Sequence, residues 1–261
     1  MKSLLPIAAI ILMVSGCKQK VDISKDIPGA YLMTSQDIKQ GSKVNSYNNL
    51  NQLKIYTPTD FMYTQLNPAD SIAAFGVGSY ETNGDTLTEH VFYSIFDSTI
   101  SNQHSSYKLF ITITPEGYKQ TIKDIPIEGK NSLLTEFYHK MKGKASSPFD
   151  GVWKEQNSYL LNGKDTVWNK RVQYKCFYDG YFMFGSSSKD STGKIITNMG
   201  YGNFSNVNDK QFDETDMNST YPTVAGHVFR IDYEMPDKDH YKQTIHNNDG
   251  TSSIEIYERL K

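Results

Sequence analysis

The chain has 261 residues, with 27 lysine and arginine residues against 29 aspartate and glutamate residues. This near balance of charge, without any basic run, argues against electrostatic binding of nucleic acid, so no nucleic-acid partner is expected. The 18 tyrosines and 13 phenylalanines, set among many Thr, Ser, Asn and Gly residues, favour strands over helices and predict an all-β protein.

The N-terminus has the features of a secretory signal. Lys2 supplies a positive charge, and the apolar run 4–14 is far shorter than the roughly 20 residues that span a bilayer. Residues 14–17, VSGC, resemble the lipobox of bacterial lipoproteins. The resemblance implies that residues 1–16 are removed and that Cys17 carries a lipid anchor, which makes the membrane a partner. The alternative is a buried N-terminal strand or helix with an incidental cysteine.

Residues 17–28 then form a lipidated tether in the cell envelope. Lys18 follows the cysteine in place of the aspartate associated with inner-membrane retention, so the lipoprotein resemblance implies the outer membrane. If Cys17 is lipidated, Cys176 has no partner for an intrachain disulfide. Cys176 lies in an aromatic, strand-like run, which favours a small buried hydrophobic side chain over a reactive thiol.

The chain contains an internal duplication. The pentapeptide YKQTI begins at Tyr118 and again at Tyr241, a separation of 123 residues. Four further blocks recur in the same order, each with a shared pattern of glycine, aromatic and charged residues. The paired blocks are 29–31 with 151–153, 53–66 with 174–187, 75–89 with 199–214, and 136–141 with 255–260. A period of this length far exceeds the roughly 20–50 residues of solenoid and propeller repeats, so each unit is a domain.

The first unit is predicted to be made of short antiparallel strands. The sequence TNGDT at 82–86 indicates a tight hairpin, and Leu87, Glu89, Val91 and Tyr93 alternate onto one face of the second strand. Closure of eight such strands into an up-and-down barrel removes exposed sheet edges and leaves an interior that side chains or one small ligand can fill. The predicted strands are 29–36, 51–57, 60–66, 72–81, 85–95, 105–114, 117–123 and 132–141.

The predicted organisation is therefore two tandem antiparallel eight-stranded β-barrels, at 29–142 and 149–261. A short polar segment, KGKASSPF at 142–149, separates them. The Gly-x-aromatic first strand, KIYTPTDFMY, GVGSYETNGDTLTE and the final EFYHK resemble the lipocalin-like, calycin-type domains of bacterial lipoproteins. The second unit departs from this pattern because it lacks the Asn-Gly turn. The resemblance implies that the barrels bind small hydrophobic or amphipathic molecules, but a shared fold does not determine function.

Two glutamates recur at equivalent positions of the units, Glu89 with Glu214 and Glu136 with Glu255. One hypothesis is acid–base chemistry by paired carboxylates, as in a glycan-acting hydrolase. The other, which we favour, is structural ion pairing with a basic residue across the sheet. The candidate basic partners are Lys54, Lys175, Lys140 and Arg259.

The two Gly-x-Gly motifs, at 76–78 and 200–202, lie in strand patterns with no following helix. They therefore indicate a bend or a close backbone approach and not a phosphate-binding loop. The histidines are scattered and no pair of cysteines accompanies them, so neither a metal site nor a cofactor is expected. No nucleophile motif is present, which favours a non-catalytic protein.

Aromatic residues at equivalent positions are candidates for ligand binding, together with Glu89 and Glu214. Such side chains provide a large contact area with a polar tip, but ordinary barrel packing is the alternative interpretation. The candidates are Tyr31, Tyr63 and Tyr80, with their counterparts Trp153, Phe184 and Phe204. Three functions are consistent with the sequence: binding of a small amphipathic ligand, a protein-interaction module of an envelope assembly, and glycan hydrolysis. The oligomeric state is not predicted.

Overall fold

A computed structural model describes residues 22–261, apart from 49, 68–71, 97–98, 102–104, 128, 145 and 222–223. The predicted signal sequence and Cys17 lie outside the described residues. Nineteen strands and no helix form the regular structure of the described part. In this part of the chain there is accordingly no helix long and apolar enough to cross a membrane. The predicted all-β fold is confirmed.

The first sheet contains β1 (Gly29–Gln40), β2 (Lys43–Asn48), β3 (Asn51–Tyr56), β4 (Asp60–Leu66), β5 (Ala73–Asn83), β6 (Thr86–Phe96), β7 (Thr99–Ser101), β8 (Ser105–Thr114), β9 (Gly117–Ile127) and β10 (Lys130–Lys140). β2 and β3 both pair with β1 and form one bent strand, and β7 and β8 form another beside β6. β10 pairs back onto β1. The sheet is therefore a closed barrel of eight antiparallel strands, barrel 1.

The second sheet contains β11 (Gly151–Asn162), β12 (Asp165–Trp168), β13 (Arg171–Tyr178), β14 (Tyr181–Lys189), β15 (Ile195–Asn208), β16 (Gln211–Ser219), β17 (Val228–Asp237), β18 (His240–His246) and β19 (Ser252–Arg259). β12 and β13 both pair with β11, and β19 closes the sheet onto β11. This is barrel 2, and the prediction of two tandem eight-stranded barrels is confirmed. The base of each barrel is the end where β1 or β11 begins, and the mouth is the end where it finishes.

Each of the eight strands predicted for the first unit is present. The prediction omits β2 because its side chains are almost all exposed and show no apolar alternation. One face assignment is wrong. Val77 pairs with Tyr93 but Gly78 pairs with Val91, so the intervening residue of β6 forms a β-bulge. Leu87, Glu89 and Val91 therefore face the barrel interior, whereas Tyr93 faces outward.

Three hydrophobic cores result. Two fill the lower halves of the barrels and consist mainly of aromatic side chains. The third joins the barrels, since the outward faces of β3–β6 pack against those of β13–β15. There the Tyr93 hydroxyl lies 2.5 Å from Ser187 Oγ. Cys176 is fully buried in this interface as a free thiol, which confirms its interpretation as a small hydrophobic side chain.

The segment before each barrel closes its base. Ile23 and Ile27, in the segment predicted as tether, are buried in the core of barrel 1. Phe149, at the end of the predicted linker, occupies the equivalent place in barrel 2 and contacts several of its aromatic rings. The described part of the tether therefore contributes to the fold, because these apolar side chains remove the open end of the barrel from water.

Candidate functional site

A buried charged layer crosses the middle of barrel 1. Lys54 Nζ, on β3, lies 2.5 Å from Glu89 Oε1 on β6. The Tyr56 hydroxyl donates a hydrogen bond of 2.5 Å to the same oxygen. Both charged side chains are almost completely buried. A buried ion pair is tolerated when further hydrogen bonds satisfy its atoms, and Tyr56 supplies one here.

Glu136, on β10, forms a second polar group beside this ion pair. It accepts hydrogen bonds from Gln36 at 2.8 Å, from the Tyr138 hydroxyl at 3.1 Å and from Gln120. Burial raises the pKa of the Glu136 carboxyl, although Lys54 and these donors oppose the increase. The glutamate is thus held by neutral donors, and the described residues include no salt-bridge partner for it.

Barrel 2 repeats the layer with one loss. Lys175 Nζ lies 2.6 Å from Glu214 Oε1, as Lys54 does from Glu89. Phe177 stands where barrel 1 has Tyr56, so Glu214 has no tyrosine hydroxyl to accept from. Burial is the largest influence on this carboxyl and raises its pKa to about 7, against the opposing effect of Lys175.

Barrel 2 also contains an ion pair that has no counterpart in the described part of barrel 1. Arg171 binds Glu155 through two hydrogen bonds of 2.9 and 2.7 Å. The repeat aligns these two residues with Leu50 and Met33, which pack in the apolar core of barrel 1. An apolar pair in one barrel is therefore a charged pair in the other.

Arg171 also binds Glu255, at 2.7 Å. Glu255 further accepts hydrogen bonds from Tyr257 at 2.6 Å and from Gln243 at 2.7 Å. Burial raises the pKa of Glu255, but Arg171 and Lys175 outweigh it and hold the pKa below its usual value. Glu255 is thus ionised and fully paired.

Asp216, on β16, differs from the other charged groups of this lumen because it forms no ion pair among the described residues. It aligns with Val91 of barrel 1 and is only 7% exposed. Its Oδ1 atom has no hydrogen-bond partner among the described residues. Burial raises the pKa of this carboxyl to about 6, despite the positive charge of Lys175 nearby.

The candidate aromatic residues divide into two groups. Tyr31, Trp153 and Phe204 are buried in the barrel cores, the first two at the base. Tyr31 donates a hydrogen bond to the carbonyl of Ile27, and Trp153 donates to that of Phe149. These residues hold the segments that close the base. Their position favours the packing interpretation.

The second group, Tyr63 and Phe184, lies nearer the barrel mouths. Tyr63 and Phe184 are equivalent, half-buried, and lie over Gly76 and Gly200, where a β-carbon would overlap the rings. Tyr80 is a different case, because its hydroxyl donates to the Thr57 carbonyl at the base of barrel 1. Tyr63 and Phe184 are therefore the predicted residues that are placed to meet a molecule entering from the mouth.

The second glycine of each Gly-x-Gly motif has a backbone role. A β-carbon at Gly78 would overlap the carbonyl oxygen of His90, and one at Gly202 would overlap that of Thr215. Both glycines lie at the β-bulge of their barrel. The predicted close backbone approach is confirmed.

The predicted partners of the four recurring glutamates are half right. Lys54 and Lys175 pair with Glu89 and Glu214 as expected. Lys140 and Arg259 are wrong, because neither contacts a glutamate among the described residues. Lys140 donates to the carbonyls of Asp26 and Pro28, and Arg259 donates to those of Pro148 and Asp150. These two cations lie outside the lumen because they follow the last inward-facing residue of β10 and β19.

Asp216, Arg171 and Glu155 escaped the sequence analysis. A signal was present, since each is a charged residue that the repeat aligns with an apolar one. Features that the two units share do not reveal these residues, because they occupy positions at which the units differ.

The mouth of barrel 2 combines these residues with an aromatic pair. Phe184 and Tyr221 stack with ring centroids 6.2 Å apart and an interplanar angle of 25°. Tyr221 is 44% exposed. The Asp216 carboxylate lies beside Phe184, since both border the space that a β-carbon at Gly200 would occupy. This part of the lumen can offer an apolar wall, a negative charge and access from solvent.

Two grooves lie outside the lumens. One, of about 1060 Å³, runs along the base end of β17 and includes Asp209, Tyr233 and Met235. The other, of about 420 Å³, separates the bases of the two barrels beside Asp60 and Asp150. Among the described residues, no three His, Cys, Asp or Glu side chains are grouped as a metal site would require.

No protein-family model and no curated protein matches the chain. The chain is similar to a solved structure described as a protein with unknown function from the DUF3598 family of Nostoc punctiforme. The two share 8% sequence identity over 91% of this chain and 97% of that chain, with a TM-score of 0.28. At this score the likeness supports no conclusion about the present protein.

Proposed function

We propose that this protein is a lipid-anchored lipoprotein of the cell envelope that binds a small amphipathic molecule at the mouth of a barrel, without catalysis. The observation that carries the proposal is the layering of each lumen. A closed aromatic base lies beneath a buried charged layer, and the half-buried ring of Tyr63 or Phe184 lies at the mouth side. An apolar wall above fixed polar groups suits a molecule with an apolar body and a polar head.

The anchor is proposed from the sequence. The short apolar run and residues VSGC at 14–17 support processing before Cys17 and lipid attachment there. We expect the native protein to leave the outer-membrane fraction only with detergent, and its N-terminal peptide to carry the mass of acyl chains. Cys17→Ala is expected to abolish both properties. An N-terminal peptide with an unmodified Cys17 would contradict the anchor.

The ion pairing of Glu89 and Glu214 with lysines supports a structural role for these carboxylates and weighs against the hydrolase hypothesis. A glycosidase needs two carboxyl groups that face the scissile bond in an open cleft. Both glutamates are instead buried in the charged layer.

Ligand binding is tested by thermal unfolding of the full chain with a library of amphipathic molecules. A ligand that binds the folded state alone raises the unfolding temperature with its concentration. Tyr63→Ala and Phe184→Ala are expected to remove the shift for barrel 1 and barrel 2 ligands, respectively. Tyr159→Ala is the matched control, because the Tyr159 ring contacts that of Trp168 outside the lumen. If no compound raises the unfolding temperature, ligand binding is refuted.

A protein-interaction module is the second candidate, and one observation favours it. Val167 and Trp168, on the short strand β12, are 58% and 60% exposed. Large apolar side chains that are exposed to solvent are a feature of protein-binding surfaces. Capture of a partner from detergent-solubilised envelopes that Trp168→Glu abolishes and Phe184→Ala preserves would support this function over ligand binding.

A further inference from the structure

We propose that the mouth of barrel 2 binds an organic cation, an amine or quaternary ammonium group carried by an amphipathic molecule, with Asp216 as its counter-ion. This inference rests on the proposed ligand-binding function and specifies its ligand class. Barrel 1, in which Val91 takes the place of Asp216, lacks this counter-ion.

Charge in the lumen of barrel 2 is the first support. Glu155, Glu214, Glu255 and Asp216 face two cations, Arg171 and Lys175, among the described residues of this lumen. Arg171 is engaged by Glu155 and Glu255, and Lys175 by Glu214. Four carboxylates against two cations leave two negative charges in excess, and Asp216 is the carboxylate without an ion pair among the described residues. A buried charge without a partner is costly, so a ligand that supplies positive charge beside Asp216 is favoured.

The geometry of Asp216 is the second and independent support. Asp216 is only 7% exposed, and its Oδ1 atom has no hydrogen-bond partner in the described part of the protein. An ideal β-carbon at Gly200 would lie 3.3 Å from this oxygen and would overlap the Phe184 ring. The Phe184 ring thus fills the space above Gly200, and the oxygen lies at the edge of that space, next to the ring.

The aromatic pair is the reason for proposing an organic cation and not a metal ion. The negative faces of aromatic rings attract ammonium groups within about 6 Å. Phe184 borders Asp216, and the stacked Tyr221 is partly exposed at the mouth, so an alkyl chain can lie against the rings while its head reaches the carboxylate. A divalent metal prefers several oxygen ligands, and no such group of carboxylates or histidines is present among the described residues.

The test uses the full chain and three short probes with the same hexyl chain: hexyltrimethylammonium, hexanol and hexyl sulfate. Affinities are measured by isothermal titration at pH 8. We expect hexyltrimethylammonium to bind at least about tenfold more tightly than hexanol, and hexyl sulfate to bind more weakly than hexanol.

Asp216→Asn is expected to remove the preference for the cation and to leave the affinity for hexanol within about twofold. Asp213→Asn is the matched control, because Asp213 lies on the outer face of the same strand and pairs with Arg230. It should change neither affinity. Phe184→Ala should weaken all binding.

A pH titration of the unmodified protein keeps the test valid if Asp216→Asn does not fold. The trimethylammonium group does not titrate, so its affinity reports the carboxylates of the lumen. The groups facing Asp216 are Lys175 on β13, Glu214 on the same strand and, farther off, Glu255 on β19. We expect the affinity to fall about tenfold between pH 8 and pH 5, while that for hexanol stays constant.

The outcomes separate the two proposals. Equal binding of the cation and hexanol, with no effect of pH or of Asp216→Asn, overturns the cation site and leaves amphiphile binding intact. Absence of binding by every probe overturns the cation site, whereas the ligand-binding function is decided by the thermal-unfolding library. Cation preference that survives Asp216→Asn also overturns the assignment of Asp216 as the counter-ion.

Discussion

Replacing Asp216 by asparagine is expected to stabilise the protein at neutral pH, although most core substitutions destabilise. The asparagine keeps the shape of the side chain and removes a charge that has no hydrogen-bond partner for Oδ1 among the described residues. The charge costs folding free energy because burial outweighs the attraction of Lys175.

The magnitude follows from the pKa. Burial raises the pKa of Asp216 from 3.8 to about 6 in the folded protein. A difference of one pH unit between the pKa values of the folded and unfolded states corresponds to about 1.4 kcal/mol. The upper limit of the stabilisation by Asp216→Asn above pH 6 is therefore about 3 kcal/mol. The asparagine amide is itself buried and water reaches the mouth, so we expect a gain of about 1–2 kcal/mol.

The dependence on pH identifies the cause. Because the folded pKa is raised, the folded state binds the proton more tightly, and the stability of the parent protein falls as pH rises from about 4 to about 6. The variant has no carboxyl group at this position and therefore does not lose this stability. Urea unfolding at pH 4, 6 and 7.5 should therefore show similar stabilities at pH 4 and a growing advantage of Asp216→Asn above it. Glu214, whose pKa Asp216 also raises, should titrate at lower pH in the variant.

Asp213→Asn is the control, and its expected effect on stability has the opposite sign. Arg230 lowers the pKa of Asp213, so this charge stabilises the fold slightly above pH 4. Its loss should cost less than about 1 kcal/mol, as for other exposed pairs. A variant Asp216→Asn that is less stable than the parent at pH 7.5, or an advantage that does not depend on pH, would refute the reasoning.

Three further outcomes are expected. Lys54→Met should destabilise the protein by about 3–5 kcal/mol in urea unfolding, because Glu89 remains as a buried unpaired charge, and adding Glu89→Gln should recover most of the loss; a double variant as unstable as the single one would contradict this. Gly78→Ala should prevent folding, judged by circular dichroism, because its β-carbon would overlap the neighbouring strand, whereas Gly41→Ala, in open space with φ of 59°, should cost only about 1 kcal/mol. Cys176 should react with thiol reagents only in denaturant, as peptide mass mapping would show, since burial raises the pKa of its thiol; rapid labelling of the native protein would exclude the interface described here.

Much of the fold could be predicted from local patterns. Alternation of apolar and polar side chains identifies a strand, and the Asn-Gly turn identifies its hairpin, because both depend on neighbours a few residues away. The bulge that turns Tyr93 outward could not be predicted in this way. It depends on how many residues of β5 and β6 lie between two fixed pairs, which only the paired sheet specifies.

The candidate site was predicted less well than the fold. Lys54 and Lys175 were identified as candidate glutamate partners because a lysine recurs in the repeated unit as the glutamate does. Lys140 and Arg259 met the same criterion and were assigned wrongly, because a strand pattern does not say where a barrel ends. Asp216 was missed, because its burial and its lack of a hydrogen-bond partner among the described residues depend on residues distant in sequence.

By itself the sequence determined that a domain-sized unit occurs twice, that the unit is made of short antiparallel strands, and that lysine and glutamate recur within it. These properties follow from the order and alternation of residues along the chain. The tertiary structure decided which side chains share a lumen, which faces join the two barrels, and which carboxylate is left without a partner. Burial and pairing arise from residues far apart in sequence, and they become definite only when the sheet closes.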